Sequence, residues 1–316
     1  VVNIVVVMDG PETVDPDTDT SFALMVAAEE RDHRVWHCGA ADVELDDGRV
    51  WARARRATTD ETTVPPLRLG PVERLDLTAA HAVLVRLDPP FDPTYLHLTL
   101  VLDHLVDHTL VVNAPRGLRD ANEKLYACRF PEVTPPTIVT ADAERLLTFA
   151  RTHGTAVVKP IDGHGGRGVL LLRPDDPNSA SVIDTSTRRG RVPVVAQRFL
   201  DGVARGDKRI LLLDGEPLGA VLRLPTETDF RANMCVGGES TATDIDDADR
   251  RIIDRIAPAL RSDGLAFVGI DVIDGCLTEV NVTSPTGLRD LTRLTGTRPD
   301  LDVISWIERA ATTTGG

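Results

Sequence analysis

Apolar residues in this chain fall in short β-branched runs separated by stretches with helical spacing. Val1 to Met8 predicts a buried strand, Thr20 to Arg31 a helix with Ser21 near its start, and Val35 to Cys38 a second strand. Strand, helix and strand in that order imply a parallel sheet. Ala82 to Arg86 predicts another strand, His97 to His108 a helix, and Leu110 to Asn113 the strand after it. Between them, Asp46 to Leu75 is polar, Arg-rich and carries Pro65-Pro66, the pattern of a β-hairpin or loop excursion.

After Pro115 the pattern starts afresh. Leu118 to Phe130 and Ala141 to His153 read as helices, Ala156 to Lys159 and Val169 to Leu172 as strands. Turn formers follow from Pro174 to Ser179, then a strand at Val192 to Phe199. A last unit carries strands at Arg209 to Leu213 and Leu218 to Leu224, a long loop to about Ser240, and helices at Ala248 to Ser262 and Asp302 to Ala311. The expectation is three α/β units, residues 1–117, 118–198 and 199–316.

Leu265 to Arg289 concentrates the chemistry. VGIDVI and LTEVNV are strands, and Asp274-Gly275 between them is a hairpin signal. Glu279 and Asn281 leave the same strand face because side chains alternate. Asp271 joins them if the turn has three residues, Asp274 to Cys276; a two-residue turn points it the other way. Two carboxylates and an amide oxygen make a hard-oxygen set suited to Mg²⁺, which usually also holds substrate phosphates. The plainer alternative is a sheet edge with solvated polar residues.

Gly163-His164-Gly165-Gly166-Arg167-Gly168 matches G-x-G-x-x-G. A dinucleotide fingerprint must open a helix, whereas this run is followed by the apolar strand VLLLR. A strand-to-strand glycine loop can lay backbone N–H groups over phosphates. Lys159 precedes it, Lys124 opens the same unit, and Lys208-Arg209 begins a strand in the third. Each lysine alone reads as a solvated charge; together they could clamp one nucleotide.

Composition narrows the partners. With 35 basic and 49 acidic residues the net charge is −14, which disfavours nucleic acid. No run of roughly 18 apolar residues would cross a membrane, and VVNIVVVMDG reads as a strand, so a cytoplasmic protein is expected. Cys38, Cys128, Cys235 and Cys276 show no metal or redox spacing. His104 and His108, four apart, would need a third ligand to hold zinc, and none is signalled.

In order and spacing, TSFALMVAAEERDHRV, VRLDPPFD (85–92), LRDANEKL (118–125), VVKPIDGHGGRGV (157–169), GDKRILLLDGEPL (206–218) and VGIDVIDGCLTEVNVTSPTGLR (268–289) resemble the ATP-grasp ligases, specifically bacterial glutathione synthetases. The likeness runs nearly end to end. It implies an N-terminal α/β lobe and two α+β lobes that sandwich ATP. It implies that Lys124 and Lys159 bind the phosphates under a lid of Gly163, His164, Gly165, Gly166 and Gly168. Gln197, Phe199 and Leu200 would meet the adenine, Asp207 and Lys208 the ribose side. Asp271, Glu279 and Asn281 would hold two Mg²⁺ ions, with Mn²⁺ as a substitute.

By the same resemblance, Arg209, Arg223, Arg231 and Asn233 would surround the γ-phosphate and the reacting carboxylate. Asp9, Ser21, Arg86, Ser284, Pro285 and Thr286 would border the peptide substrate. The implied reaction joins γ-glutamylcysteine and glycine through an acyl phosphate, with small-molecule partners and a homo-oligomer, dimer or tetramer. Two places depart from the family pattern: His164 stands where Met is common, and Leu224 to Phe230 lacks the usual Gly-Gly. The alternatives are a related ligase using another carboxylate or amine, and a regulatory nucleotide-binding module, which a broken metal set would mark.

Overall fold

The computed structural model of the protein describes residues 1–225 and 239–314. In chain order the first part holds β1 (Asn3–Val7), α1 (Thr20–Glu30), β2 (Arg34–Cys38), β3 (Val43–Asp46), β4 (Arg49–Thr59), β5 (Leu67–Asp76), β6 (Ala82–Val85), α2 (Pro93–Leu102) and β7 (Leu110–Val112). β2, β1, β6 and β7 pair in parallel in that order, and β4 joins β2 antiparallel, carrying β3 and β5. Alternate residues of β1 enter two cores, Val5 and Val7 in one and Ile4 and Val6 in the other. A sheet covered on both faces explains why this run is apolar throughout.

Next come α3 (Pro115–Asp120), α4 (Glu123–Ala127), β8 (Thr137–Thr140), α5 (Ala143–His153), β9 (Ala156–Pro160), β10 (Leu170–Leu172), α6 (Ser179–Ser186) and β11 (Val194–Arg198). A second sheet runs β10-β9-β11-β8, all antiparallel, over its own small core of Leu146, Val158, Leu172 and Ile183. The third part holds β12 (Asp207–Leu213), β13 (Glu216–Leu224), β14 (Glu239–Thr243), α7 (Asp247–Ser262), β15 (Phe267–Ile273), β16 (Cys276–Asn281), α8 (Leu288–Thr295) and α9 (Pro299–Thr314). Its sheet order is β14-β13-β12-β15-β16. One face, with Ile210, Ile270 and Val280, packs with Ile252 and Ile256 of α7. The opposite face is apolar at Leu211 and Leu213 and charged at the other end of β12, where Asp207 and Arg209 stand.

Several boundaries differ from the sequence expectation. The helix expected over 97–108 begins at Pro93, because Asp92 accepts the Tyr95 N–H at 2.9 Å and proline fits the first helical turn. It ends at Leu102, so His104 and His108 do not share a helix face. α1 is capped by Asp19, which accepts the Phe22 N–H at 2.8 Å, and Ser21 stands near its start as expected. The single helix expected over 118–130 is two, because the Asn122 side chain caps a new one at Lys124 and Leu125. β8, α6, α8 and β14, which starts at Glu239 where the long loop was expected to end, were not anticipated.

Asn113 joins the first and third sheets. Its buried side chain donates to Phe267 O at 2.8 Å and Val282 O at 2.7 Å, and its Oδ1 accepts the Phe267 N–H at 2.8 Å.

Candidate active site

The β15–β16 turn has two residues, Asp274 and Gly275, both with positive φ (50° and 67°), as a type I′ hairpin requires. By parity alone that turn would set Asp271 opposite Thr278. Instead the register shifts after Val272↔Leu277, and Asp271 stands opposite Glu279. Thr278 is the extra residue of a β-bulge, its hydroxyl donating to Asp271 O at 3.1 Å. The expectation that Asp271 needs a three-residue turn is thereby corrected: the bulge restores the shared face.

On that face Arg209 is the cross-strand partner of Asp271, and Asp207 of Arg223. Arg209 binds Asp271 through Nε to Oδ1 at 2.6 Å and Nη2 to Oδ2 at 3.1 Å. Arg223 Nη2 reaches Asp207 Oδ2 at 2.5 Å and Asp271 Oδ1 at 3.0 Å. Burial alone would raise the Asp271 carboxyl, but the two guanidinium groups outweigh it and hold the group well below the carboxylate range. Asp207 goes the other way. Its burial pushes it up to about 6 despite Arg223, and its Oδ1 is buried without a hydrogen-bond partner among the described residues.

The second sheet supplies the opposite wall. Lys159 Nζ lies 3.3 Å from Gln197 Oε1 and 3.5 Å from Glu279 Oε1, and Lys124 Nζ is 4.0 Å from the same Glu279 oxygen. Lys124 also donates to Gly163 O. The glycine run links the antiparallel strands β9 and β10, with no helix following, so it is a strand-to-strand loop. At Gly168, φ is +72° and a Cβ would sit 2.9 Å from Pro160 Cγ, which leaves glycine as the residue that fits.

These parts enclose a cavity of about 710 Å³. Of the expected residues, Lys124, Lys159, Gly163, His164, Gly165, Gly166, Gln197, Phe199, Leu200, Asp207, Arg209, Arg223, Asp271, Glu279, Asn281, Ser284, Pro285 and Thr286 line it. Lys208 does not. It lies on the other face of β12, its Nζ 2.5 Å from Asp249 Oδ2 and 3.3 Å from Asp246 Oδ2. Arg86 stands behind the wall, donating to Ser21 Oγ and Pro285 O, each at 3.0 Å. Asp9 accepts the Asp88 N–H at 3.0 Å, and Asp88 in turn accepts the Ser284 hydroxyl at 2.6 Å. Arg86 and Asp9 therefore brace lining residues, and Ser21 braces Arg86. Arg231 and Asn233 lie outside the described residues.

Sequence reading missed Asp88, Glu123, Arg167 and Thr278, all in the wall. Glu123 and Asp88 sit inside the quoted segments, where a carboxylate beside proline or lysine carries no signal of its own.

Asp271, Glu279 and Asn281 suit a hard cation. Glu279 points into the cavity, and the Asn281 amide nitrogen donates to Gly269 O and Asp271 Oδ2, both at 3.2 Å. That leaves Asn281 Oδ1 as the atom it would offer a cation. Among the described residues no three His, Cys, Asp or Glu side chains cluster as a metal group; the set here is two carboxylates and an amide. No helix among them is long and apolar enough to cross a membrane.

The profile of the prokaryotic glutathione synthetase N-terminal domain matches residues 2–119, and that of the same family's ATP-grasp domain matches residues 123–296. The glutathione synthetase of Thermosynechococcus vestitus is 47% identical over 96% of this chain and 99% of its own. That of Synechocystis sp. is 42% identical over 96% and 98%. The chain belongs to the prokaryotic glutathione synthetase family. It is an ATP-dependent ligase with the ATP-grasp fold. Solved structures show the fold independently: the ATP-grasp ligase PsnB, complexed with minimal precursor, Mg and ADP, has a TM-score of 0.64 at 16% identity over 98% of both chains. D-cycloserine synthetase DcsG has 0.63 at 17% identity, over 97% of this chain and 99% of that one.

Proposed function

We propose that this chain joins γ-glutamylcysteine to glycine, converting ATP to ADP and phosphate. The observation that carries the reading is the opposition, across one cavity, of Lys124 and Lys159 to the Arg209–Asp271–Arg223 array. The lysines meet the nucleotide phosphates as compact cations, and the backbone of Gly163 to Gly166 covers them. Gln197, Phe199 and Leu200 border the base. Mg²⁺ held by Asp271, Glu279 and Asn281 neutralises phosphate charge when bound.

The cysteinyl carboxylate attacks the γ-phosphorus, the bond to the β–γ bridging oxygen breaks, and ADP departs. The glycine amine then attacks the acyl carbonyl, loses a proton, and phosphate leaves. Arg209 and Arg223 are fixed by bonds to Asp271 and Asp207 before charge develops, so they stabilise it without reorganising. Ser284, Pro285 and Thr286 shape the peptide end, held from behind by Arg86 and by Arg209 Nη1 on Thr286 O at 3.2 Å. Closure of the glycine loop excludes water from the acyl phosphate.

γ-Glutamylcysteine labelled with oxygen-18 in its cysteinyl carboxylate tests the path. One labelled oxygen in the released phosphate is expected; unlabelled phosphate would exclude the acyl phosphate. A second reading, a ligase for a different amine, is favoured by one sequence feature: Leu224 to Phe230 lacks the Gly-Gly of the family loop.

A further inference from the structure

We propose that Glu123 is a positioning residue that locks the phosphate-binding wall to the segment leading from the metal strand to the substrate loop. β16 ends at Asn281, so the next backbone N–H groups have no strand partner. Glu123 Oε1 accepts from Val282 N at 3.1 Å, Thr283 N at 3.4 Å and Thr283 Oγ1 at 2.9 Å. Those residues lie between Asn281 and Ser284.

The neighbours of Glu123 complete a joint. Asn122 Nδ2 donates to Ile161 O at 3.3 Å, at the entry of the glycine loop, and Lys124 donates to Gly163 O and faces Glu279. Three consecutive residues thus touch the lid, the metal strand and the substrate segment. Asn122 caps α4, and Glu123 and Lys124 open it with side chains about 100° apart, so the three leave toward different neighbours. Burial raises the Glu123 carboxyl above its ordinary range, with the Thr283 hydroxyl opposing and Glu279 adding to the rise. The anchoring itself needs only an acceptor oxygen at glutamate length.

The proposal rests on the roles assigned above to residues 281–286, so its test includes a readout independent of substrate. In the full chain without ligands, hydrogen exchange at the Val282 and Thr283 amides is compared for the parent, Glu123→Gln, Glu123→Asp and Glu123→Ala. Protection is expected in the parent and in Glu123→Gln, which keeps the acceptor, and faster exchange in Glu123→Asp and Glu123→Ala. Turnover should follow the same split. Glu123→Asp should lose about 10²-fold in kcat through misplacement near 1 Å, with KM for ATP within threefold and a melting midpoint that is lowered but stays above the assay temperature, while Glu123→Gln stays within tenfold of the parent. Equal exchange in all four proteins would overturn the anchoring. So would a loss in Glu123→Gln as deep as in Glu123→Asp, or a kcat loss that only tracks melting. If Glu123→Ala does not fold, the Gln and Asp pair decides. A parent without glutathione turnover would sink the functional reading alone, leaving the exchange result standing.

Discussion

Asp271 and Glu279 face each other across a hairpin whose two-residue turn would by itself set them on opposite faces. One extra residue, Thr278, converts a sheet edge into a site. The bulge also re-aims Asn281, which follows Glu279 by two and shares its face.

Deleting Thr278 is therefore expected to slip β16 by one residue beyond the bulge. Glu279 and Asn281 would turn toward the core or force the hairpin apart. Thr278→Val, which keeps the residue and loses only its hydroxyl, should cost about 1 kcal/mol of stability and leave turnover within a few-fold. Circular dichroism with ADP-release assays on both variants checks this. A deletion variant that folds and turns over normally would remove the bulge from the account.

The two lysine neighbourhoods make opposite predictions. Lys159→Met should raise KM for ATP at least about tenfold, since a phosphate-facing charge-assisted contact is worth roughly 1.5–3 kcal/mol. Lys208→Met should leave KM within about threefold and instead lower stability, because Asp249 loses its buried partner. Equal KM effects would show that the face assignment of β12 is wrong.

Asn113→Ala strips three hydrogen bonds from buried strand termini. Unsatisfied buried groups cost about 1–3 kcal/mol each, so denaturant titration should show a loss of about 3 kcal/mol or more. A loss below about 1 kcal/mol would mean that the first and third sheets are held together elsewhere.

Asp263 accepts from Tyr126 Oη at 2.7 Å and Arg129 Nη1 at 2.6 Å, fastening α4 to the end of α7. Burial opposes ionisation there, but these two donors prevail and the carboxyl sits below its ordinary value. A lowered folded-state pKa stabilises above the unfolded value of about 4, and that increment fades as pH falls through the folded value. Asp263→Asn should thus melt lower than the parent at pH 7, and the gap should narrow as pH falls below the unfolded value of about 4. A gap independent of pH would assign the effect to packing.

Much of this was legible in the chain. Asp274-Gly275 marks the hairpin, VLLLR after the glycine run rules out a helix, and the alternation of β12 already separates Lys208 from Asp207 and Arg209. The resemblance grouped all three; the period of a strand does not. The bulge was not legible, because a period-two pattern contains no mark for an inserted residue that the core then tolerates. Nor was the break at Asn122 marked by glycine or proline, and Leu118, Ala121 and Leu125 continue a helical spacing across it. Glu123 consequently stayed invisible, since its partners are 159 and 160 residues away in sequence.

The most direct measurement is ADP release with Mg²⁺ and ATP from γ-glutamylcysteine, with and without glycine, with the product identified by mass. Glycine-dependent release yielding glutathione in one-to-one ratio with ADP is the predicted result. Tight binding of Mg-ATP with no glycine-dependent product would contradict it and move the substrate of this site to another amine or carboxylate.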